Sequence, residues 1–116
     1  MKCIKKSHQD LLQEYYGKSI VRYLQAIEDA DTYVVDIEEV KNGRGHWVYL
    51  RLQTVPPERY INDYELLYLM FDRDDLKRFY AGKEKGYIAS SRFDPEGLTE
   101  FLRKWWEMQR LCRNYL

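Results

Sequence analysis

The sequence predicts an α+β fold, a single domain with helices packed on a mostly antiparallel sheet in the order α-β-β-β-α-β-α. Three observations carry that expectation. Apolar residues recur at helical spacing in the N-terminal quarter, two alternating segments flank Asn42-Gly43, and Asp94-Pro95-Glu96 opens a long C-terminal helical pattern. With 116 residues, 45% apolar and 33% charged, the chain fits one core, with no linker, repeat or low-complexity stretch.

The first element is a helix over residues 9–29. Leu12, Tyr16, Ile20, Leu24 and Ile27 form its stripe, supported by Tyr15 and Tyr23. Ser7-His8-Gln9-Asp10 resembles a capping box and places the start near residue 9. Gly17 sits inside this helix at a cost of about 1 kcal/mol against alanine, so a bend or a close approach is expected there.

Residues 32–38 and 46–52 alternate as two strands, and Asn42-Gly43 supplies a type I′ hairpin turn. A two-residue loop at that dipeptide sets the register. Lys41 then faces Arg44, Glu39 faces His46, Ile37 faces Val48, Val35 faces Leu50 and Tyr33 faces Leu52. The apolar residues of both strands fall on one side. The other side pairs Glu38 with Trp47, Asp36 with Tyr49 and Val34 with Arg51.

Pro56-Pro57 ends the second strand, because proline donates nothing to a ladder. Residues 64–71 read as a buried strand, since Leu66, Leu67, Leu69, Met70 and Phe71 leave both faces apolar. Ile61, Tyr64, Tyr68 and Phe71 also fit a helix, and both readings stay open. Asp72-Arg73-Asp74 looks like a fresh helix start, with Leu76, Phe79 and Tyr80 as a buried stripe and Gly82 as the stop. Residues 87–93 make a fourth, short strand. The last helix runs from Asp94, its N-cap, with Pro95 at the first helical position. Leu98, Phe101, Leu102, Trp105, Cys112 and Tyr115 form its inward stripe. Trp106 lies about 100° round from Trp105, bordered by Arg103 and Arg110, and reads either as packed at the margin with an arginine stacked on it or as a spare indole that anchors a partner.

Acids and bases balance at 19 each, so no global field draws the chain to nucleic acid or to an anionic membrane. Locally, residues 28–39 hold six acids and no base, and residues 76–92 hold five bases against Glu84. The fold should carry an acidic edge and a basic side. No window approaches 18 apolar residues, so no membrane span is expected. Residues 1–6 are too short and too charged for a signal peptide. Cys3 and Cys112 read as reduced thiols of a cytoplasmic protein, the alternative being a disulfide that closes a long loop. With His8 and His46 they have no zinc spacing, so no metal site of that type is expected.

Gly17-Lys18-Ser19 echoes the end of a phosphate-binding loop, but Leu12 stands where that loop needs glycine. Glu39-Val40-Lys41 is an E-x-K tripeptide beside His46, on a strand of an α-β-β-β-α-β order. That combination is similar to the core of the PD-(D/E)xK nuclease superfamily. The resemblance implies acids that hold Mg²⁺ and a lysine that orients the attacking water. Glu39 and Lys41 match the second half of the motif, Asp31 is the nearest leading acid, and Glu14 is a candidate helix acid. The alternative for the tripeptide is a solvated hairpin tip with a Glu39–His46 pair.

Two aromatic–arginine surfaces are the leading candidates. One is Trp106 with Arg103, Arg110 and Arg113 on the last helix. The other is Trp47, Tyr49 and Arg51 on the outer side of the hairpin, where the alternative is a further helix that covers that face. Tryptophan, tyrosine and arginine are enriched where proteins anchor partners. The leading expectation is therefore a small non-catalytic binding protein that docks a protein partner or a second copy of itself. Small inhibitors, immunity-type proteins, adaptors and viral or mobile-element proteins share this profile. A nucleic-acid-binding protein is the alternative, using Lys77, Lys83 and Lys85 with Arg103, Arg110 and Arg113. The Mg²⁺-dependent nuclease is the third class.

Overall fold

The computed structural model describes residues 1–43, 45–56, 67–74, 76, 78–83, 86–92 and 94–114. The order is α1 (Lys6–Tyr16), α2 (Ser19–Asp29), β1 (Tyr33–Asn42), β2 (Gly45–Gln53), β3 (Leu67–Asp72), β4 (Arg78–Lys83), β5 (Gly86–Arg92) and α3 (Pro95–Asn114). The strands form one antiparallel sheet in the order β1-β2-β3-β4-β5, a plain meander. The α+β class stands, while the element order differs from the expected one at two places.

The first difference is at Gly17. Residues 9–29 do not form one helix, because α1 ends at Tyr16 and α2 starts at Ser19. Gly17 takes φ 64 and ψ −155, a region open essentially to glycine, and its N–H closes α1 on the Gln13 carbonyl at 2.7 Å. The break lets two short helices lie on a sheet that one straight rod would cross only once. Ser7 is not the cap either. The helix begins one residue before it, behind Lys5, which makes no side-chain cap bond.

The second difference is at Asp72. Its Oδ1 accepts the Asp74 N–H at 2.8 Å, the same local bond that an N-cap makes. Here the bond closes a turn, and residues 78–83 leave it as β4 instead of a helix. Pairing decides the outcome: Phe79 sits opposite Phe71 and Ala81 opposite Leu69. The ambiguous segment before it is a strand over Leu67–Asp72; residues 64–66 lie outside the described residues.

The hairpin forms with β2 slid by two residues from the expected register. Ile37 pairs with Leu50, Glu39 with Val48, Lys41 with His46 and Asn42 with Gly45. The last pair of the ladder, Asn42 with Gly45, places the turn one step later than Asn42-Gly43. Gly45 explains the shift, since its φ of 144 excludes side chains and a Cβ there would meet Trp47 Nε1 at 3.3 Å. A slide of two preserves which side each residue faces. The ladder shifts again between Val34 and Asp36. This bulge puts Val34, fully buried, in the core in place of the expected Val35.

Ile37, Val34, Val48, Leu50, Leu52, Leu67, Leu69 and Phe71 line one side of the sheet and join a single core with Leu12, Ile20, Leu24, Ile27, Leu98 and Leu102. Tyr16 and Tyr23 set their ring edges against Phe71, at 6.4 and 6.2 Å between centroids. All three helices therefore belong to the Phe71 side. Cys3 is a free thiol buried in this core. Burial, with the charge of Glu28 second, pushes its pKa up to about 11. The side chain of Cys112 lies outside the described residues. No helix among the described residues is long and apolar enough to cross a membrane.

Candidate functional site

Helix α3 is placed by bonds that are local at its start and distant along its length. The Asp94 carboxylate accepts the Gly97 N–H at 2.8 Å, the cap expected from the sequence. Thr99 then donates its hydroxyl proton to the Ala26 carbonyl at 2.9 Å, and Arg103 donates to the Asp29 carbonyl at 2.9 Å. The arginine thus satisfies a carbonyl left open at the C-terminal end of α2.

Trp106 is not a spare indole. It is 8% exposed, as buried as Trp105, and its Nε1–H donates to Thr32 Oγ1 at 2.9 Å. Thr32 in turn donates to the Ala30 carbonyl at 2.9 Å. The helix sits where α2 turns into β1, so its buried face is wide enough to take both tryptophans. Periodicity on one helix cannot show how wide a notch the rest of the fold offers.

Beside Trp106 lies a cleft of about 540 Å³, with Asp31, Arg103, Glu107 and Arg110 among its lining residues. Asp31 holds the corner at φ 51, an uncommon conformation that aspartate tolerates better than most residues. The structure thus unites Trp106, Arg103 and Arg110, and adds Asp31 from another candidate group. The side chain of Arg113 lies outside the described residues.

The second surface is the side of the sheet away from the helices. Trp47, Tyr49 and Arg51 alternate along β2 and are half-buried. Tyr49 lies between Glu38 and Met70, and Arg51 between Asp36 and Tyr68. Glu38 and Asp36 therefore sit one rung from their expected partners, on the expected side. Asp36 does not reach Arg51 as an ion pair among the described contacts; its Oδ1 accepts the Ile37 N–H at 2.9 Å. Tyr68 and Met70 extend the aromatic–arginine surface across β3, and sequence reasoning missed both. The alternation that exposes them is present in residues 67–72, buried and half-buried in turn. It was hidden because tyrosine and methionine also count as apolar.

The third group is at the open end of the hairpin. Glu39 accepts the Tyr15 hydroxyl, contacts His46 Nε2, and holds Lys41 Nζ at 3.4 Å. The Arg73 guanidinium lies 5.6 Å from the centre of the Tyr15 ring. The Glu39–His46 contact is diagonal, because His46 pairs directly with Lys41. The tie comes from Tyr15, while Glu14 beside it is exposed. Asp31 is not part of this group. From Tyr33, two residues past Asp31, β1 runs about 20 Å to Glu39 at roughly 3.3 Å per residue, too far for a shared ion. No cluster of three or more acidic, histidine or cysteine ligands occurs among the described residues.

The Tyr15 hydroxyl, ahead of the Lys41 and His46 contacts, holds the Glu39 carboxyl below its ordinary range, and the same bond raises Tyr15. A depressed carboxylate stabilises the fold above its unfolded pKa, and that stabilisation is lost as pH falls through the lower folded value. The raised tyrosine behaves in the opposite sense, losing its share only as pH climbs through its folded value. Glu39→Gln should therefore lower stability at neutral pH and shrink the difference from wild type below about pH 4. Urea midpoints at the two pH values check this, and equal midpoints at neutral pH would show that the cluster holds nothing.

Of the remaining candidates, Lys77 and Lys85 lie outside the described residues, and Lys83 lies on β4 with its side chain outside them. Comparison with protein-family models, curated proteins and solved structures finds no significant match to this chain.

Proposed function

We propose that the chain is a small binding protein of inhibitor, immunity or adaptor type that docks a protein partner across the outer side of its sheet. One observation carries this reading. The helices pack on the Phe71 side, and Tyr49, Arg51, Tyr68 and Met70 alternate onto the other side, each of them partly exposed. Those residue types supply area and anchoring at an interface core. Asp36 and Glu38, both exposed, border them. These acids repel a phosphate backbone and favour a protein with a basic rim over nucleic acid.

Tyr49→Ala with Arg51→Ala tests the reading. The double variant should fold, and a partner recovered on wild-type bait should bind it at least about tenfold more weakly. Unchanged affinity for that partner would remove the sheet face from consideration. Fluorescence anisotropy with labelled DNA and RNA separates the alternative. Tight binding that falls steeply with salt would replace the protein-docking reading.

A further inference from the structure

We infer that the cleft beside α3 is a carboxylate-binding site for a peptide segment that carries a single carboxylate, gripped by Arg110 against the indole of Trp106. The inference does not depend on the sheet face. A volume of about 540 Å³ suits a side chain or a short peptide. The Trp106 wall is preset, because its indole N–H is fixed on Thr32 at 2.9 Å.

The two arginines have different tasks. Arg103 and Arg110 are seven residues apart, about 10 Å along the helix, and line the same cleft. Arg103 is committed to the Asp29 carbonyl. Arg110 is exposed and makes no hydrogen bond or ion pair among the described residues. Its planar fork matches a carboxylate through two parallel bonds.

The charge of the lining selects the ligand class. Asp31 and Glu107 line the cleft together with the two arginines, so the formal charge of its lining is zero. A single carboxylate on an otherwise neutral or zwitterionic peptide is accommodated, while a polyanion meets two fixed carboxylates.

The test follows the Trp106 indole N–H by NMR during titration with four probes. These are a blocked peptide with one aspartate, a blocked peptide without acid but with a free C-terminal carboxylate, inorganic phosphate, and a short single-stranded DNA. Saturable shifts with either carboxylate peptide support the site, and the stronger of the two identifies side chain or chain terminus as the source. Arg110→Gln should weaken that binding at least about tenfold, and Arg110→Lys should restore only part of it. Equal binding by Arg110→Gln, tighter binding of phosphate or DNA than of either peptide, or no shift with any probe would each overturn the inference. Tyr49→Ala with Arg51→Ala should leave these titrations unchanged, so failure of the sheet-face reading is distinguishable.

Discussion

Trp106→Ala is expected to destabilise the fold by about 3–5 kcal/mol, the usual cost of truncating a buried tryptophan. The indole is 8% exposed and fills the notch between α2 and β1. Its loss also leaves Thr32 Oγ1, 1% exposed as a residue, without its donor. Trp106→Phe keeps most of the volume and removes the bond, so it should cost less. Urea denaturation of both variants separates packing from hydrogen bonding. A wild-type midpoint for Trp106→Ala would mean that the indole is not part of the core. The same substitution is therefore unsuited to testing partner binding, and Arg110 is the residue to change there.

Phe71→Ala should cost a similar amount, about 3–5 kcal/mol. Its ring is fully buried and meets the rings of Tyr16 and Tyr23, one from each N-terminal helix. Removing it leaves a cavity where α1, α2 and the sheet meet, and rings held on two separate helices collapse into it poorly. A lowered midpoint with an unchanged denaturant slope is the expected signature. A loss below about 1 kcal/mol would show that the three elements repack freely.

What was legible in the sequence was what short-range chemistry decides. Asp94-Pro95 marked the start of α3, because a cap needs only the residues beside it. The two hairpin strands were legible from their alternation. Their register was not, since Asn42-Gly43 alone suggested the turn, while the strand pairs Asn42 with Gly45, a glycine at φ 144. Asp72 was misread as a helix start because a cap and an Asx turn use one bond, and only pairing with β3 distinguishes them. Within the candidate sites, Arg103, Trp106 and Arg110 line one cleft because one helix carries them all. Asp31 joins them, and Tyr15 joins Glu39, only through tertiary packing. The burial of Trp106 was hidden for the same reason, since its partner Thr32 is 74 residues away.

The meander has a consequence for the order of folding. Every strand pairs with its neighbour in sequence, so the sheet assembles by closing short loops, the entropically cheap kind. Helix α3 is tied back across 73 or 74 residues, through Thr99 to Ala26, Arg103 to Asp29 and Trp106 to Thr32. Those are the longest-range hydrogen bonds among the described residues, and contacts of such separation are expected to form after the rate-limiting barrier. Stability lost at Trp106 should then emerge as faster unfolding, with the refolding rate barely moved. The last helix acts as a latch, setting how long the native state persists more than how quickly it is reached.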